Sequence, residues 1–191
     1  GERQDYAANW DRVVEQMTTR AAPAEDLHYA RSVRVAAYLE TDVPVLHRAA
    51  AQEHVALVSH ARSESERAGL DGAMQVSVER SSDYRLELVR LDRAMAERAG
   101  VTVREAEVNQ SYRGRLAEGC NGQVLQALED RPSEVVVHDR QRIANDVSRL
   151  HGKEAEIRYV GEIGIAEESA RPVGYRVREL GRAENGAERE R

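Results

Sequence analysis

The sequence predicts an α+β protein, in which an N-terminal helical bundle precedes a small curved β-sheet or barrel carrying one helix. Two observations predict it. Up to about Gly100 apolar residues recur at three- and four-residue steps, the period of a helix face. Beyond Gly100 the period shortens to two, and Gly and β-branched residues become frequent between turn signals.

The elements follow in order. Tyr6, Trp10, Val13, Val14 and Met17 form the apolar stripe of a first helix from about Asp5 to Arg20. Pro23 suits a first helical turn, with Glu25 and Asp26 beside the positive end of the helix dipole. That second helix carries Leu27, Ala30, Val33 and Ala37 and ends near Glu40. Thr41 or Asp42 is the expected cap of a third, with Pro44 in its first turn and a stripe of Leu46, Ala50, His54, Leu57 and Ala61. It is expected to run to about Ala68 and to stop at Gly69. Residues 73–78 alternate like a strand but lie between helical patterns, and are read as helix. Tyr84, Leu88, Leu91 and Met95 mark a last helix, from Ser82 to a stop at Gly100.

Residues 101–109 read as a linker. Strands are expected at 112–117, 122–128, 134–138, 154–160 and 173–177, each bounded by turn residues. A helix from Arg140 to Leu150, with Ile143, Val147 and Leu150 inward, interrupts them. Residues 179–191 have too little apolar surface to offset ordering and read as a disordered tail.

With no Phe and one Trp in 191 residues, the core must come from Leu, Val, Ala and Tyr. The lone Cys120 excludes an internal disulfide and any multi-cysteine metal site. No run of 18 apolar residues occurs and the N-terminus is polar, so a cytoplasmic protein without a membrane span or secretory signal is expected. His47, His54 and His60 share the third helix at spacings that do not converge on a metal, so neither metal nor cofactor is expected. His54, on the apolar stripe, is expected to be buried.

His138-Asp139-Arg140 ends an apolar strand. A His beside an acid is the pattern of a general base, and Arg can hold phosphate or carboxylate. Neighbours on a strand point to opposite faces, however, so the expected role is structural, with His138 and Arg140 bonding the turn. Tyr112, Arg113, Arg115, Arg158 and Tyr159 form either a surface for single-stranded nucleic acid or, for the two tyrosines, part of the core. The net charge of −6 leaves no global field for nucleic acid.

Four segments in order resemble the KfrB domain of plasmid and conjugation proteins, over about residues 110–175. They are Tyr112-Arg113-Gly114, the Gln126-bearing strand 122–128, the run 135–140 ending in His138-Asp139-Arg140, and 152–159 closing on Ile157-Arg158-Tyr159. The resemblance implies a bacterial accessory module of a conjugation system that is non-catalytic and binds a protein partner. Its binding residues would be Tyr112, Arg113, Arg115, Gln126, His138, Arg140, Arg158 and Tyr159. A nucleic-acid-binding module is the alternative.

Overall fold

A computed structural model describes residues 1–169; the expected strand 173–177 and tail 179–191 lie outside the described residues. The chain divides into two compact units, one from Gly1 to Val103 and one beginning at Arg104.

The first unit contains α1 (Glu2–Thr19), α2 (Ala24–Glu40), α3 (Pro44–Ser59), α4 (Glu64–Arg80), α5 (Ser82–Leu91) and α6 (Arg93–Arg98). Pro44 opens α3, but the cap position is Val43, which gives no side-chain bond. Thr41 instead closes the preceding turn, its hydroxyl donating to the Tyr38 carbonyl at 2.7 Å and accepting from the Val43 amide at 3.3 Å.

Two caps correct the expected helix boundaries and a third meets one. Ser63 accepts from the Glu66 amide at 3.1 Å while Glu66 accepts from the Arg62 amide at 2.6 Å. This Ser-x-x-Glu cap starts α4, so α3 stops at Ser59 and Gly69 lies inside a helix. Ser81 accepts from the Tyr84 amide and starts α5 at the expected Ser82, whereas Asp92 accepts from the Met95 amide and divides the last helical pattern into α5 and α6. The helical core is built on Leu57, Met74, Tyr84, Leu86 and Leu88, each almost inaccessible. Burial of each such side chain contributes on the order of 2 kcal/mol.

Among the described residues the strands form one six-stranded open sheet in the order β1-β4-β3-β2-β5-β6, not a barrel. The strands are β1 (Thr102–Glu105), β2 (Ser111–Glu118), β3 (Gln123–Leu128), β4 (Glu134–Asp139), β5 (Glu154–Val160) and β6 (Ile163–Glu168). The pairs β2–β3, β3–β4, β2–β5 and β5–β6 are antiparallel. β1 lies within the stretch read as a linker. β6 lies outside the expected strands: Gly161 with φ +62 makes the tight turn after β5, and pairing resumes at Val160 with Ile163.

The expected helix over 140–150 is instead an irregular segment with two 3₁₀ turns, Arg140–Arg142 and Ser148–Leu150. Asp146 accepts from the amide and hydroxyl of Ser148, a local alternative to helix bonds. Ile143, Val147 and Leu150 still face inward, joining Leu116, Val124 and Ile157 in one apolar cluster. The segment also covers the β6 edge. Asn145 donates to the Ala166 carbonyl at 2.5 Å and accepts from its amide at 2.9 Å, so its carboxamide replaces a peptide group on the open edge.

Candidate functional site

Tyr112, Gln126, His138 and Tyr159, drawn from four adjacent or near-adjacent strands, converge inside the sheet unit. Gln126 and His138 are fully inaccessible and Tyr159 nearly so. The Gln126 amide nitrogen faces three backbone carbonyls, those of Tyr112 at 3.2 Å, Gly114 at 3.3 Å and Ala155 at 3.0 Å. Only the NH₂ group can donate to carbonyls, so the Gln126 oxygen must point the other way, at His138 Nε2 2.8 Å distant. His138 Nε2 therefore bears the proton. Nδ1 is left as an acceptor for the Tyr159 hydroxyl at 2.7 Å.

Every polar position of the imidazole is thus filled. Burial alone drives its pKa down to about 3, and it stays neutral. Burial also pushes the Tyr159 phenol up to about 12. The two rings stack at 5.7 Å, and Tyr112 stands edge-on to His138 at 5.6 Å and to Tyr159 at 6.2 Å.

Gly114 makes this convergence sterically workable. At φ +156, a Cβ there would lie 1.8 Å from the Ala127 carbonyl oxygen, so no other residue fits without moving β3.

The expected turn role of His138 is corrected: it bonds Gln126 and Tyr159 across the sheet, not the turn. Asp139 instead accepts from the Gln141 amide at 3.0 Å and caps the first 3₁₀ turn, so no His–Asp dyad forms. Arg140 lies 3.7 Å from Glu118 and 3.5 Å from His151 Nε2. Of the proposed arginine surface, Arg113 and Arg115 stand opposite Glu156 and Glu154 on β5. Arg113 Nε is 3.9 Å from Glu156, while Arg158 is exposed. Tyr159 is buried against His138, whereas Tyr112 is half-buried and also lines a cleft.

A cleft of about 490 Å³ opens at the sheet end where β1, β2, β3 and β4 meet. Its floor is apolar, from Tyr112, Leu128 and Val136. Six carboxylates and three guanidiniums line it, an acidic excess. Arg104 and Arg131 both pair with Glu134, at 2.8 and 3.1 Å. The sequence offered no signal for this cleft, because its acids come from four separated segments, 105–107, 129–130, 134 and 156.

In the helical unit, α1 turns only part of its expected stripe inward. Ala7 and Val14 are buried, and Asp11 between them bonds the Tyr38 hydroxyl and lies 3.8 Å from Arg34. Of the expected stripe Val14 is buried and Trp10 and Met17 are half-buried, while Tyr6 and Val13 stay at the surface, at 50% and 37% exposure. Tyr6 and Trp10 meet edge to face at 6.5 Å.

Among the described residues no group of three or more His, Cys, Asp or Glu is arranged to hold a metal ion. No described helix is long and apolar enough to cross a membrane. In comparisons with known proteins the chain matches no protein-family model, no curated protein and no solved structure.

Proposed function

We propose that the chain is a non-catalytic interaction module that binds a protein partner through the outer face of α1. The observation that carries this reading is the exposed pair Tyr6 and Val13 on α1, with Trp10 half-buried beside Tyr6. A helix that buries Ala7 and Val14 and still holds large apolar side chains in water has the pattern of a face that pairs with another surface. Aromatic residues are also the side chains that anchor interfaces most strongly.

Non-catalytic character is supported by His138, whose ring is neutral, fully bonded and inaccessible. The KfrB resemblance is supported by a convergence: Tyr112, Gly114, Gln126, His138 and Tyr159, which lie in its four segments, build one buried cluster. On that resemblance the partner belongs to a plasmid or conjugation system.

The test is titration calorimetry against the products of the neighbouring reading frames, with Tyr6→Ala/Val13→Ala, both exposed, as the control. Binding by the native chain, lost in this variant at unchanged melting temperature, is the expected result. Binding of single-stranded DNA is measured alongside, at about 50 and 200 mM salt. Micromolar, salt-sensitive DNA binding that disappears in Arg113→Ala/Arg158→Ala would replace this reading with the nucleic-acid module.

A further inference from the structure

Among the described residues every polar contact from α1 to another element goes to α2: Asp11 meets Tyr38 and Arg34, and Arg3 donates to the Glu40 carbonyl at 3.3 Å. α2 lies against α3 in turn, so α1 ends the row of packed helices. Tyr6 and Val13 each stand one position, about 100° of helix rotation, before the buried Ala7 and Val14. They therefore flank the surface that α2 covers, with Trp10 and Met17 half-buried along the same stripe.

This stripe is symmetric in spacing and opposite in charge at its two ends. Tyr6 and Met17, like Trp10 and Val13, lie at equal distances on either side of a point between Asp11 and Arg12. A second α1 turned antiparallel about a two-fold axis at that point sets Tyr6 against Met17 of the other copy and Trp10 against its Val13, an isologous contact. Glu2 and Arg20 stand about five helix turns apart and hence on one side of the stripe. Both are exposed and neither has an ion-pair partner among the described residues. The same rotation brings Glu2 of each copy within one residue of Arg20 of the other. An antiparallel pair also opposes the helix dipoles, whereas a parallel pair would set Glu2 and Asp5 of both copies together.

We propose that the occupant of the α1 face is a second copy of this chain, docked antiparallel through Tyr6, Trp10, Val13 and Met17 and framed by two Glu2 to Arg20 ion pairs. The proposal rests on α1 being an interaction face and names what that face takes. Four side chains make a contact at the small end of protein interfaces, below about 1,200 Å² in total, so the association is transient.

Sedimentation equilibrium of the intact chain tests it, from about 10 μM to 1 mM protein and at about 50 mM salt, where exposed charges are weakly screened. The expected result is a mass that rises with concentration from 21.4 kDa towards twice that value, and that stays at the monomer in Tyr6→Ala/Val13→Ala. Glu2→Arg and Arg20→Glu each turn two attractions into two repulsions and should weaken the dimer about tenfold, whereas Glu2→Arg/Arg20→Glu should return it to within about threefold of the native chain. All four positions are exposed, so melting temperatures should stay within about 2 °C and lost association is distinguished from lost folding. A dimer that ignores Tyr6→Ala/Val13→Ala, or a double charge swap as weak as the single ones, would overturn the proposal. A chain monomeric throughout would overturn it too: binding of another product at Tyr6 and Val13 by calorimetry then leaves the interaction reading standing, and no binding removes both.

Discussion

Each unit buries a histidine against a tyrosine, and the two pairs are built differently. In the helical unit His54 Nδ1 lies 2.6 Å from the Tyr84 hydroxyl, with the rings edge to face at 5.6 Å. The pair joins α3 to α5. In the sheet unit His138 stacks on Tyr159 and is also held by Gln126, which in turn bonds three carbonyls of β2 and β5. Helices satisfy their own backbone, so a polar pair between them need only satisfy itself. In this sheet the side-chain network also serves backbone groups, and removing one member strands several partners.

The largest expected difference between the units is at glycine. Gly114→Ala should destabilise the chain by more than about 4 kcal/mol or prevent folding, because the new Cβ meets the Ala127 carbonyl. Gly69→Ala, in α4 with nothing near its Cβ position, should stabilise by about 0.5–1 kcal/mol. Urea denaturation measures both, and equal effects would erase the contrast.

Next comes the network itself. Gln126→Leu leaves the His138 Nε2 proton and three carbonyls without this partner and should cost about 3 kcal/mol. Tyr84→Phe removes one bond and should cost about 1 kcal/mol. If the two cost the same, the sheet network is no more cooperative than the helical pair.

Acid sharpens the comparison further. Folded-state values of about 4 for His54 and about 3 for His138 both lie below the ordinary 6.5, mainly through burial. Below pH 6.5 the unfolded chain takes up protons that the folded chain refuses, so stability present above that pH is lost as pH falls. Each histidine contributes a slope of about 1.4 kcal/mol per pH unit. The His54 loss levels off near pH 4 and the His138 loss near pH 3. Stability measured from pH 7 to pH 4 in His54→Leu should retain about half of the histidine slope; an unchanged slope would mean that His54 takes no part.

The smallest expected effect is at the α1 surface. Tyr6→Ala should change stability by less than about 0.5 kcal/mol, since half of the ring is already in water. A cost near 2 kcal/mol by thermal unfolding would show that this face is part of the core.

Much of this contrast was legible in the sequence. Alternation revealed β2 and β5, which bury one face, and short apolar runs revealed β3 and β4, which are buried on both; His54 was expected inside because it shares a stripe with Leu57. Period alone did not say which edge of the α1 stripe faces the core: Val14 is buried with Ala7, next to Asp11 that bonds Tyr38, while Tyr6 and Val13 lie outside. Ile143, Val147 and Leu150 mimic a helix face, but Asn145 and Asp146 spend their side chains on Ala166 and Ser148. The role of His138 depended on Gln126 and Tyr159, 12 and 21 residues away, and no local pattern shows such a pairing. Gly114 read only as part of a motif because its need arises from the approach of β3.

The central claim is that His138 is a structural member of a closed network and not an acid–base group. Long-range ¹H–¹⁵N NMR of the imidazole, followed from pH 8 to pH 5, tests it most directly. The account predicts one neutral species protonated at Nε2, with shifts that do not move over that range, as a folded-state value of about 3 requires. A ring that titrates between pH 5 and 7, or that carries its proton on Nδ1, would contradict it.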